Sequence, residues 1–107
     1  MKEMNIFYCI IQMDNPISLE QKLKKYFEMT AEAIKKVKIK SNLDSEEKSK
    51  AEDIFDLAKR YYEDAVYFDK KGEQVNAFGA VVYAHAFLDI GARLGLFDVD
   101  DSRLFMV

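Results

Sequence analysis

The chain has 107 residues, half of them hydrophobic and a third charged, with a net charge of −3 and a sequence pI near 5.2. That describes one globular domain, and excludes both a disordered chain and a two-domain protein. Only 4 glycines and 1 proline interrupt it, which favours long helices, and the acidic balance lacks the overall basic footprint of a general nucleic-acid binder.

Residues 1–17 read as an appendage. The apolar run Ile6 to Met13 is far shorter than the ~20 residues a membrane span needs, so no transmembrane segment is expected. It ends in Asp14-Asn15-Pro16, a turn signal with no small-residue cleavage site. Packing on the bundle or on a neighbouring subunit would cover it. Cys9, the lone cysteine, supports neither an internal disulfide nor a cysteine metal site. It reads as a small apolar residue in a reduced, cytoplasmic setting.

The first helix is expected over about 18–41. Ser18 and Gln21 have capping-box spacing, and Leu19, Leu23, Tyr26, Phe27, Thr30, Ile34 and Val37 form one stripe. Lys35, Lys36, Lys38 and Lys40 then read as a solvated basic face of that helix. The second helix is expected over about 45–71. Asp44 and Glu47 form its capping box, Glu46 and Glu47 complement its dipole, and Gly72 supplies the left-handed stop. Its buried stripe is Ala51, Ile54, Phe55, Ala58, Tyr61, Tyr62, Ala65 and Phe68.

The third helix, over about 74–95, has few polar side chains, so it is expected to be buried on most sides. Gly79 and Gly91 cost about 1 kcal/mol each relative to alanine inside a helix. Close approach of a neighbouring helix or of a partner subunit would offset that cost. Gly95 ends the helix. The tail, residues 98–107, is acidic and then apolar. It either folds back over a seam of the bundle, docks on a partner or stays disordered. The fold class is therefore all-α, an up-and-down three-helix bundle over residues 18–97 with an N-terminal appendage.

Candidate chemistry gathers on the second and third helices. His85, Asp89 and Arg93 are four apart, a spacing that stacks side chains on one helix face. A carboxylate orienting an imidazole for acid–base work, beside a guanidinium for an anionic substrate, is one reading. A polar stripe that pairs with polar groups of the second helix and fixes the register of the bundle is the favoured one. Tyr61 and Asp64, approached by Tyr83, could complete that pairing or line a pocket for a small polar or cationic ligand. His85 with Asp89 is only a two-ligand pair. The chain lacks the Glu-x-x-His and His-Glu-x-x-His patterns, a phosphate-cradling glycine loop and a nucleophile elbow, so no metal, cofactor or catalytic residue is expected.

The segments Tyr61-Tyr62-Glu63-Asp64-Ala65-Val66-Tyr67-Phe68, Lys71-Gly72-Glu73, Ala77-Phe78-Gly79-Ala80, Tyr83-Ala84-His85-Ala86-Phe87-Leu88-Asp89 and Gly91-Ala92-Arg93-Leu94-Gly95-Leu96-Phe97 resemble an archaeal family, domain of unknown function 357. The resemblance is specific over this C-terminal half and looser over the first helix. It implies a small up-and-down bundle of three helices in a cytoplasmic archaeal protein, and it implies no activity. Ala86-Phe87 departs from the family's pattern, where glycine and tryptophan are more usual.

The expected function is a non-enzymatic helical interaction or scaffold module, with a protein partner or a homo-oligomer and neither membrane nor nucleic acid. The alternative is a small-ligand or nucleotide-binding helical protein using Tyr61, Asp64, Tyr83, His85, Asp89 and Arg93.

Overall fold

Two capping boxes set the starts of the first two helices in the computed structural model, which describes residues 18–105. Helix α1 spans Leu19–Lys36. The Gln21 amide donates to Ser18 Oγ at 3.1 Å, and the Ser18 amide donates to Gln21 Oε1 at 3.3 Å. Helix α2 spans Ser45–Lys70, with the same reciprocal pair between Asp44 and Glu47 at 2.8 and 3.2 Å. Each box satisfies helix-end donors that would otherwise lack partners. Helix α3 spans Gln74–Arg93 and starts without a side-chain cap. Its entry is fixed instead by the end of α2. There Gly72, at φ 77°, closes a Schellman turn, the Glu73 amide donating to the Phe68 carbonyl at 2.9 Å. Gly95, at φ 74°, repeats the device at the end of α3, with the Leu96 amide donating to the Gly91 carbonyl.

The all-α, three-helix expectation holds. The arrangement is centred on α3, which packs against both α1 and α2 while those two scarcely touch each other. The seam between α2 and α3 is built from small residues. Ala51, Ala58 and Ala65 on α2, and Ala77 and Ala84 on α3, have no exposed surface, and Gly91 is buried. Both sets repeat every seven residues. The antiparallel packing that brings Tyr61 against Tyr83 places Ala65 within a turn of Ala77, Ala58 within a turn of Ala84, and Ala51 within a turn of Gly91. Small residues at neighbouring levels let the two backbones approach closely, and larger side chains on the flanks fill the remaining space. Helix α1 adds Leu23, Tyr26, Met29 and Ala33 to the core from the other side.

The first helix is shorter than expected. It ends at Lys36, and residues 37–40 run extended, with Ile39 bridged antiparallel to Phe97. The Lys40 amide donates to the Leu96 carbonyl at 3.0 Å, and the Asp98 amide to the Lys38 carbonyl at 2.6 Å. The cause is in the sequence: Val37-Lys38-Ile39-Lys40 alternates apolar and polar with β-branched residues, a strand period rather than a helical one. The basic cluster therefore does not share one helical face. Lys35 and Lys36 sit in the last turn of α1, whereas Lys38 and Lys40 flank the bridge. The third helix likewise stops at Arg93, two residues before Gly95.

The tail folds back onto the bundle. Leu104 and Phe105 are buried at 3% and 1% exposure. Asp101 is held by Lys36 at 2.8 Å, and Arg103 reaches both Asp101 and Glu32. By length and composition alone, α3 could cross a bilayer, a feature that a search for charge-free runs overlooks. In this fold it is the central helix, flanked by α1 and α2. Residues 1–17, including the Ile6 to Met13 run and Cys9, lie outside the described residues, as do 106 and 107.

Candidate functional site

Successive residues four apart on an α-helix drift by about 40° around its axis. His85, Asp89 and Arg93 therefore do not stay on one face. His85 has no exposed surface and Asp89 only 4%, whereas Arg93 is exposed in the last turn. The expected stripe rotates from the core out to solvent within two turns.

His85 is locked by two hydrogen bonds from different parts of the chain. Its Nε2 lies 2.6 Å from the Leu104 carbonyl oxygen, and its Nδ1 lies 3.0 Å from Thr30 Oγ1. A carbonyl only accepts, so Nε2 carries the proton and donates to Leu104. Nδ1 is then left to accept from the Thr30 hydroxyl, which assigns the neutral tautomer from the network. The expected partner, Asp89, stands farther off, with Oδ1 at 3.8 Å from Nε2, beyond hydrogen-bond reach. Burial pushes the imidazole down to about 4 from its ordinary value of 6.5, and the bond to Leu104 opposes that shift only in part. At neutral pH the ring is uncharged, fully enclosed and engaged at both nitrogens. It ties α1, α3 and the tail together.

The tail has electrostatic fastenings as well. The Lys36 ammonium, and after it the Arg103 guanidinium, hold the Asp101 carboxylate well below the usual carboxylate range. The two cations lie largely in solvent, so this network orients the tail more than it stabilises the fold.

Tyr61 and Tyr83 do come together, but on the outside. Their ring centroids are 5.4 Å apart, and Tyr61 also stacks on Phe87 at 5.6 Å and 12°. Tyr83 is 61% exposed, and Asp64 is exposed on α2. The six candidates thus divide into an enclosed pair, His85 and Asp89, a surface aromatic pair, Tyr61 and Tyr83, and two exposed charges, Asp64 and Arg93. They do not converge on one cavity. The groove between α1 and α2, about 570 Å³, is lined by other residues, with Ala31, Ile34 and Tyr62 beside Lys35, Asp56, Lys59 and Glu63. Another groove, about 650 Å³, lies between Lys35, Lys36 and Lys38 and the acidic tail. Among the described residues, no three His, Cys, Asp or Glu side chains converge on a metal position.

Two partners of His85 escaped the sequence reading. Thr30 had a signal, because it is a hydroxyl within the apolar stripe of α1. Leu104 had none, since it contributes a backbone carbonyl at a distance of 19 residues.

The side of α3 that α1 and α2 leave uncovered, with Tyr83 at its edge against Tyr61 of α2, is the other distinctive feature. Val75, Tyr83, Ile90 and Leu94 are 74%, 61%, 44% and 64% exposed. Gly79, exposed on the same face, has no described residue within 4 Å of the position where a Cβ would stand. Gly91 contrasts with it, because a Cβ there would overlap the Phe97 ring.

No curated protein and no solved structure matches the chain. The family model described as protein of unknown function, DUF357, matches residues 25–97, from the second turn of α1 through the bridge at Phe97. That is well over half of the chain and takes in all three helices and the enclosed His85, so this protein belongs to the DUF357 family.

Proposed function

We propose that this protein is a non-enzymatic helical interaction module whose docking surface is the outward face of α3. One observation carries the reading. Of the five most exposed large apolar side chains among the described residues, four lie on this single face, and only Tyr67 lies elsewhere. Scattered apolar side chains are ordinary on a protein surface, whereas a contiguous row on the central helix of a bundle marks a contact surface. The enclosure of His85 and Asp89 supports a structural role for the only imidazole in the chain. A general base must reach the proton it abstracts, and His85 has both nitrogens committed within the fold.

The test is the double variant Ile90→Lys and Leu94→Lys. Both positions face solvent, so the variant keeps its fold and melts within a few degrees of the wild type. The tagged wild-type chain, isolated gently from its own cells, migrates as part of a larger assembly, and the variant does not. Identical migration of the two proteins would remove the basis for a docking role on this face.

A further inference from the structure

Resting on that reading of the α3 face, we infer that its occupant is a second copy of this chain, packed antiparallel along α3 with Ile90 of one copy seated over Gly79 of the other. The row is Val75, Gly79, Tyr83, Ile90 and Leu94, all exposed, with the half-buried Ala86 among them, spaced four, four, three, four and four. Four of the five steps are of four residues, so the row follows the ridge by which two helices pack across each other. Turned end for end about the midpoint between Ala84 and His85, the row falls back on itself. Val75 then meets Leu94, Gly79 meets Ile90, and Tyr83 meets Ala86. In the two central pairs, the larger side chain faces the smaller. A two-fold interface requires this self-complementarity, since each patch must fit its own copy.

Gly79 is the independent observation. A glycine within a helix destabilises it by about 1 kcal/mol relative to alanine, and among the described residues nothing uses the space its missing side chain leaves. At Gly91 the Phe97 ring uses that space. A helix from another copy would use it at Gly79. The charges at the two ends agree with the pairing. Arg93 is exposed at the C-terminal end of the face, and Asn76 and Glu73, which bond each other at 2.9 Å, stand at the N-terminal end. An antiparallel copy brings Arg93 to them.

The area sets the strength. Twenty residues of helix span about 30 Å and present a face about 10 Å wide. That is on the order of 300 Å² per copy, well below the ~800 Å² of a stable complex. The pair is therefore weak and reversible, among the small transient contacts.

The experiment is sedimentation equilibrium of the full chain from about 1 to about 500 μM, beside Gly79→Glu and Leu94→Lys. Far-UV circular dichroism confirms the fold of each variant. The wild type shifts from monomer to dimer across this range. Each variant keeps its helical spectrum and stays monomeric, its association weakened by a factor of about 100 or more, because a carboxylate or an ammonium would be buried at the contact. A wild type monomeric throughout overturns the inference, as does a Gly79→Glu variant that still dimerises.

Alkylation of the variant Ala86→Cys, in a Cys9→Ser background, identifies what is there instead. A monomer whose Cys is protected assigns the face to the chain's own residues 6–13. A monomer that floats with phosphatidylcholine vesicles assigns it to a lipid surface. Either result overturns the second copy. A purified monomer that migrates in a larger assembly from its own cells, lost with Ile90→Lys and Leu94→Lys, overturns self-pairing and leaves the docking reading standing.

Discussion

Acidification from about pH 7.5 to about pH 5 destabilises the fold through His85. The folded imidazole titrates at about 4 and the unfolded one at its ordinary 6.5. The folded value is the lower, so between the two the unfolded chain binds more protons. Stability is therefore full above about pH 6.5 and falls as the pH drops through that window towards 4. The whole separation is worth about 3 kcal/mol, of which about 2 kcal/mol is gone at pH 5. That is a large share of the ~5–15 kcal/mol by which domains of this kind are stable.

Two influences act on the imidazole with opposite consequences. Enclosure by α1, α3 and the tail disfavours its charge, while the Asp89 carboxyl, 3.8 Å away, favours it wherever that group is ionised. Enclosure wins, since burial is the larger influence on the ring. Urea denaturation followed by circular dichroism at several pH values measures the loss. Proton NMR measures the titration directly, without an assignment problem, because the chain has a single histidine. The variant His85→Gln keeps a donor for the Leu104 carbonyl and does not titrate, so it loses this part of the pH dependence. A folded-state titration at or above 6.5, or a stability that is flat between pH 7.5 and 5, would refute the reasoning.

Other outcomes follow from the same packing. Leu104→Ala removes a buried anchor of the tail and costs about 2–5 kcal/mol in urea melts. Thr30→Val strips the donor from His85 Nδ1 and costs about 1–3 kcal/mol, with the imidazole still enclosed. The two glycines respond in opposite directions. Gly91→Ala drives a methyl into the Phe97 ring and destabilises by about 1–3 kcal/mol, whereas Gly79→Ala, measured at low concentration, stabilises the monomer by up to about 1 kcal/mol. Asp44→Ala removes the cap of α2 and lowers stability by about 1 kcal/mol.

Much of the fold was legible because its signals are local. Ser18 with Gln21, Asp44 with Glu47, and Gly72 and Gly95 mark helix ends through bonds that span only a few residues. The seven-residue alanine repeats of α2 and α3 likewise lie in plain view. What escaped depends on long-range pairing. Residues 37–40 continue the helical stripe at Val37, yet they also alternate, and only the presence of Phe97 alongside decides for the bridge. The polar stripe was read as one face because four-residue spacing looks collinear over a single step. Over two steps the drift carries Arg93 into solvent while His85 stays in the core. The polar stripe was expected to pair with the second helix, but the partners of His85, a threonine on α1 and a carbonyl in the tail, come from segments that the spacing along α3 does not address. The exposed face of α3 was hidden for a related reason. A helix that is apolar on nearly every side reads as buried on every side, and only the positions of α1 and α2 reveal which side they leave uncovered.

Disulfide trapping in a Cys9→Ser background tests the claim about that face most directly. Cysteine in place of Ala86 lies about 4.5 Å along the axis from its counterpart in the antiparallel pair, and cysteine in place of Val75 about 28 Å from its own. In the antiparallel pair Ala86→Cys cross-links to itself, Val75→Cys alone does not, and Val75→Cys mixed with Leu94→Cys does. Cross-linking of Val75→Cys to itself as readily as Ala86→Cys, or of none of the three, would contradict it.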